Sequence, residues 1–440
     1  MAKGHKMVEK HKLDDWYRLD NAAKIYPPVI SADLTSVFRL SCTLNERVKI
    51  GSLREAATIT AARFPYFNVT LRRGFFWYYL ECSNTDPTIS AEEKRPLTGF
   101  PVSSVSLSLY RILARGTKIS VEFLHVIADG GGAMEYFRSL LVTYLRIIGK
   151  SVDYKEGIID PSSSPKEGET EDSFKRYYRK EIPKAADIVR SWNLPYPLAK
   201  PSKFTITEVE LSVSKIREMS KSHGVTITEY LSAVYLYAMQ GAFLDFYRSG
   251  KLPEHKIIRL EVPINMRKLL PSITMRNFSL FVMPEINMEA GKFTFDEIIE
   301  KVHNYMHTET DTKLIYRIIS RNVKPEYNPL LRVMPLFVKD IALSVAFRKH
   351  GPTKYSSVLS NMGIVQMPEG CEKFIKSFSI IPPPPNKKLK ISCGAISYGD
   401  NMRLTFVNLT SSLDLERRII SFLVKSGSGV KIINNYSKDD

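Results

Sequence analysis

The residues best suited to chemistry are His125-Val126-Ile127-Ala128-Asp129-Gly130, followed by Gly131 and Gly132. Imidazole titrates near neutral pH, so His125 can take a proton from a hydroxyl, amine or thiol and return it later. The carboxylate four residues on, Asp129, can fix the loop or pair with a cation elsewhere. Glycines at 130–132 let the backbone turn tightly and approach a ligand closely. Amides that open a following helix are unpaired and carry partial positive charge. A lone histidine is usually a satisfied structural residue. The aspartate and the glycines raise His125 above that reading.

Other signals fade. Gly149-Lys150-Ser151 has the end of a phosphate-binding loop, but Tyr144 stands where its first glycine belongs. No Gly-x-Ser-x-Gly elbow occurs, which counts against an α/β serine hydrolase. His303 and His307 are four apart on an expected helix. A zinc protease needs glutamate directly after the first histidine, and that residue is Asn304, so the pair reads as a solvated face. Cys42, Cys82, Cys371 and Cys393 lie far apart, so neither a metal site nor a disulfide framework is expected. The run Phe75-Phe76-Trp77-Tyr78-Tyr79 reads as core rather than as a cofactor box.

The elements that must position His125 follow from pattern. Residues 105–113 and 118–125 alternate as strands, with Ile119, Val121, Phe123 and His125 on one face. Ala133 to Ile148 reads as a helix closed by Gly149. His125 therefore stands where a strand ends and a helix begins. Ser52 and Glu55 have the spacing of a capping box opening a helix to Arg63. Residues 69–81 read as two strands turning at Gly74. Residues 151–172, rich in Ser, Pro, Gly and Glu, read as an exposed connection, as does 195–201. Beyond a boundary near residue 200, strands are expected over 205–213, 257–263, 278–286, 355–367 and 391–410. Helices are expected over 228–246, capped by Thr226 or Thr228, over 295–308 and over 412–426. Mixed strands and helices in both halves predict two α/β lobes, residues 1–200 and 201–440.

The chain has 440 residues, 63 basic and 46 acidic, a net charge of +17. The excess is spread over both halves, without a Lys/Arg tract or zinc-finger spacing, so nucleic acid is not the expected partner. The charge could steer a smaller anion, such as a phosphorylated cofactor or an acidic carrier protein, or simply mark a soluble protein of high pI. The longest apolar run, Tyr230 to Leu244, is interrupted by Gln240 and is too short to span a bilayer, so no transmembrane segment is expected. Met1 to Lys12 is basic and polar, unlike a secretory signal, and the cytoplasm is the default location.

The His125, Asp129 and Gly130 pattern resembles the chloramphenicol acetyltransferase-like superfamily. That superfamily includes condensation domains of peptide synthetases, polyketide-associated acyltransferases and alcohol acetyltransferases. Arg63-Phe64-Pro65-Tyr66-Phe67, Val262 to Arg267, Arg276-Asn277-Phe278 and Val358 to Gly363 extend the resemblance over about residues 16–425. It is nearest to the bacterial alcohol acetyltransferase-like branch. The resemblance implies two lobes with a central channel and acyl transfer from acyl-CoA, a co-substrate rather than a resident cofactor, to an alcohol or amine. It implies His125 as general base, Asp129 turned away from the ligand in a salt bridge to Arg267, and Gly130 keeping the CoA path open. Asn277, Ser360 and Asn361 would line the channel or donate to the oxyanion. Leu124 stands where condensation domains double the histidine. Two alternatives stay open: a carrier-protein-dependent acyltransferase, and a binding protein that retains the fold.

Overall fold

Three sheets organise the chain, and their topology sets where the His125 loop lies. The computed structural model describes residues 16–436 apart from 32–33, 84, 92–95, 101–107, 184–187, 201–203 and 351–352. The expected mixed α/β architecture with two lobes is the one formed. In the first lobe a five-stranded sheet has the order Ile375–Ile381, Val37–Leu44, Lys118–Leu124, Tyr110–Arg115, Ile89–Ala91. Its central strand, Lys118–Leu124, is buried on both faces. Ile119, Val121 and Phe123 enter the apolar core. Glu122, on the opposite face, is fully buried and held by Arg39 (2.8 Å) and Arg111 (2.6 Å). Such pairing offsets the cost of burying a carboxylate.

The edge strand of this sheet, Ile375–Ile381, comes from the far end of the sequence and pairs antiparallel with Val37–Leu44. The second lobe is built on an eight-stranded sheet. In it Ile257–Asn265 lies beside Ser357–Ile364, and that beside Ile391–Tyr398. A small three-stranded sheet joins Trp16–Arg18 to the hairpin Val69–Arg73 and Tyr78–Cys82. The apolar helix Ile227–Arg248 covers the second-lobe sheet, with both halves of a capping box, Thr226 and Glu229, made. No described helix is long and apolar enough to cross a membrane.

Several sequence expectations change. The first helix, Ile50–Arg63, starts before Ser52 and is capped by Lys49 without a side-chain bond, so the Ser52/Glu55 box is not formed. The expected strand 278–286 splits into Ser279–Val282 and Glu285–Asn287, because Pro284 between them has no N–H to donate. The first residues of the expected strand 105–113 lie outside the described residues, and its described part is Tyr110–Arg115. The expected strand 391–410 is a hairpin turning at Gly399, whose φ of 57° suits glycine.

The 151–172 connection is partly buried. Glu169 takes both terminal nitrogens of Arg63 (2.8 and 2.6 Å) and the hydroxyl of Tyr66 (2.8 Å), while its backbone carbonyl accepts from Met275 N at 2.8 Å. That stretch clasps a first-lobe helix to a second-lobe loop. The 75–79 aromatic run is not core: Phe75, Phe76 and Trp77 are exposed, and the Lys339 ammonium sits 3.5 Å over the Trp77 ring. Helices over Thr312–Val323 and Leu336–His350 were not foreseen.

Candidate active site

His125 follows the last residue of the central strand, and its N–H donates to Ser36 O at 2.9 Å. Ser36 accepts from a left-handed conformation, φ 52°, which costs a non-glycine residue ~1 kcal/mol or more. Two side chains grip the imidazole. Tyr26 stacks on it with centroids 4.9 Å apart, and Phe38 lies tilted at 5.2 Å.

The ring nitrogens have separate tasks. His125 Nδ1 lies 3.0 Å from Asn277 Oδ1. Asn277 Nδ2 donates to Asp20 Oδ2 at 3.0 Å, and Asn277 N donates to the same oxygen at 3.3 Å. The amide therefore turns its oxygen toward the histidine, and Nδ1 must be the protonated nitrogen. Nε2 is then the basic nitrogen of an imidazole that lines a cavity of about 1200 Å³. Burial pulls the His125 pKa below its ordinary 6.5, against the opposing influence of Asp129 and Asn277. The neutral, proton-accepting form is favoured.

Asp129 caps the helix Gly130–Ile147 at the edge of this cavity, and both of its oxygens are taken by protein donors. Its Oδ1 accepts Gly132 N at 3.0 Å. Its Oδ2 accepts Arg267 Nη1 at 2.9 Å and Phe278 N at 2.8 Å. Burial alone would raise this carboxyl, but Arg267 and the amide bonds outweigh it, and its pKa is lowered. Arg267 is fixed in turn by Thr274 O at 2.8 Å, by Asn265 and by Arg276 O. The loop of one lobe is thereby bolted to the loop of the other. Gly130 stands against the opposite wall: a Cβ there would lie 2.6 Å from Met362 Sδ.

Ser360 and Asn361 lie on the strand Ser357–Ile364 and line the same cavity. Asn361 Nδ2 is committed to Thr228 Oγ1 (3.0 Å), and its Oδ1 accepts Gly363 N (2.9 Å). Asn277 is likewise committed, to Asp20 and His125. Of the three polar residues that the sequence nominates for the channel, Ser360 keeps the hydroxyl best placed for a ligand. His303 donates no metal site; it pairs with Glu229 at 3.1 Å, and no metal-holding cluster occurs among the described residues.

Sequence reasoning missed Asp20, Tyr26 and Glu261. Asp20 lies 257 residues from Asn277, so only the fold brings them together. Glu261 sits four residues before Asn265 in a strand whose polar residue could have drawn notice, since alternation otherwise places Leu260 and Val262 in the core.

Comparison with known proteins agrees with this architecture. The alcohol acetyltransferase family model matches residues 174–295, a stretch that holds Arg267 and Asn277 but not His125. No curated protein matches the chain in sequence. Polyketide synthase associated protein 5 from Mycobacterium tuberculosis shares the fold at a TM-score of 0.58 and 13% identity, over 92% of this chain and 97% of that one. TRI101 of Fusarium sporotrichioides, solved with coenzyme A and T-2, aligns at 0.58 and 13% over 95% of this chain and 100% of that one. The first condensation domain of the calcium-dependent antibiotic synthetase, solved with a substrate analogue, aligns at 0.59 and 11% over 96% and 100%. The resemblance read from the sequence is thereby borne out in fold, and over residues 174–295 the family model agrees with it.

Proposed function

We propose that this acyltransferase moves an acetyl or short acyl group from acyl-CoA to an alcohol, with His125 as general base. The observation that carries this is an imidazole in the cavity wall whose Nδ1 is held by Asn277, which leaves Nε2 as its basic nitrogen. Nε2 takes the proton of the acceptor hydroxyl as its oxygen attacks the thioester carbon. The tetrahedral intermediate collapses, the carbon–sulfur bond breaks, and the imidazolium returns the proton to the departing thiolate. The products are an ester and free CoA, and the base is regenerated.

Asp129 does not touch the reacting atoms in this account. Its bonds to Arg267, Gly132 and Phe278 hold the strand-to-helix turn that aims His125. Ser360 is the residue we assign to the oxyanion, since Asn277 and Asn361 have their amide N–H groups engaged elsewhere. Removing such a donor typically costs ~3–4 kcal/mol of transition-state stabilisation. Lys268 and Lys339 in the lining suit the phosphates of CoA, whereas Lys24 is paired with Glu326.

The test is thiol release from acetyl-CoA by the purified protein against a panel of alcohols and amines. Release that rises with an alcohol supports the reading. A protein that binds acetyl-CoA yet releases no thiol with any acceptor contradicts it.

A further inference from the structure

Glu261 is a charged group in the cavity wall that the proposed reaction does not use. It lies on the strand Ile257–Asn265, opposite Val358 of the neighbouring parallel strand. Alternation puts Pro263 and Ser360 on the same face, and all three line the cavity. The residue is 9% exposed. Tyr355 gives a hydrogen bond to its carboxyl, but Oε2 has no partner. A buried acceptor left without a donor is costly, and native proteins rarely keep one idle. Burial, opposed only by Tyr355, pushes the carboxyl up to about 7.

The position relative to His125 is informative. Tyr26 stacks on the imidazole, and its hydroxyl feels the charge of Glu261. Glu261, Tyr26 and His125 all line the one cavity. A carboxyl without a cationic partner would repel the phosphates of a CoA donor, so it belongs to the other substrate. We infer that Glu261 anchors the acyl acceptor, its carboxyl binding a second hydroxyl or ammonium group of a molecule whose first hydroxyl meets His125. This inference rests on the acyl-transfer reading for the role of the first hydroxyl. The anchoring bond itself is one of binding.

The test is therefore made on binding first. Calorimetry on the full chain compares n-alkanols, from butanol to decanol, with the α,ω-diols and ω-amino alcohols of equal length. Wild type should bind a diol or an amino alcohol of one matching length at least about tenfold more tightly than the alkanol. Glu261→Gln should bring the amino alcohol preference to within about threefold of unity, whereas His125→Ala should keep it. Wild type without preference at any length overturns the inference, and that arm needs no variant to fold. A preference that survives Glu261→Gln, in protein whose melting shows it folded, also overturns it. Thiol release is then measured with the same acceptors. Preference in binding without thiol release contradicts acyl transfer and leaves the Glu261 anchor standing. Thiol release equal for diols and alkanols, with no binding preference, does the reverse.

Discussion

Asp129 and Glu261 are both buried carboxyls facing the seam between the lobes, and they titrate in opposite directions. Each oxygen of Asp129 has a donor, one of them the Arg267 guanidinium, and its pKa is lowered. Glu261 has Tyr355 for one oxygen and nothing for the other, and its pKa rises to about 7. Burial is common to both, so the donors decide. A carboxyl with donors on both oxygens is held in place by them. A carboxyl in a cavity wall with one oxygen unmatched has capacity left for a ligand.

The contrast ranks the substitutions. Asp129→Ala should be the most damaging, because it leaves the Arg267 guanidinium buried beside an empty site. We expect ~3–5 kcal/mol of lost stability, seen in denaturant unfolding, and loss of activity with it. Equal stability of variant and wild type would break the structural half of the comparison. Asn277→Leu should lower kcat about tenfold with smaller loss of stability, since it frees the imidazole rather than the loop. Its acid limb should also move. Activity is lost as pH falls through the His125 pKa, which lies below 6.5 in the native protein because of burial. Without the Asn277 bond that supports the charged form, that limb should lie lower still.

Glu261→Gln sharpens the other half. A carboxyl with a raised native pKa contributes most below its unfolded value and loses that contribution as pH rises through about 7. Wild type is therefore handicapped above about pH 8, where the variant should be more stable by roughly 1–3 kcal/mol. The gain should vanish below about pH 4.5, in thermal melts at both ends. Asp129 has the opposite sign: its contribution is present above 3.8 and fades as pH falls further. Gly130→Ala is the mildest change. The added methyl meets the flexible end of Met362, which can swing aside, so a cost of ~1 kcal/mol or less is expected.

How much of this was legible in sequence follows the same division. The His125 to Gly132 loop was readable, because residue types that act together lie within eight positions. The Asp129–Arg267 contact came through resemblance, and the two side chains lie 2.9 Å apart. The Thr226 helix cap obeyed local rules, whereas the turn at Gly399 lay hidden inside an apparently continuous strand pattern. The Asp20–Asn277–His125 relay did not, since its members are brought together by three separate elements. Strand Ile375–Ile381 was invisible for a related reason: its partner is more than 300 residues away. The helix Leu336–His350 escaped notice because its apolar residues follow no helical period. It exposes Phe337 and Ile341 while Ala342 and Leu343 line the cavity. The aromatic run at 75–79 was read as core from composition, but a hairpin tip has too few neighbours to bury it.

The central claim is that His125 moves the proton in acyl transfer. The most direct measurement is alcohol-dependent thiol release from acetyl-CoA by His125→Ala beside wild type, with the folded state of both checked by melting. The account predicts a rate lowered by about 10² or more in a variant as stable as the parent. Wild type that turns over and a folded variant within a few-fold of it would contradict the account, and the base would have to be sought elsewhere in the cavity.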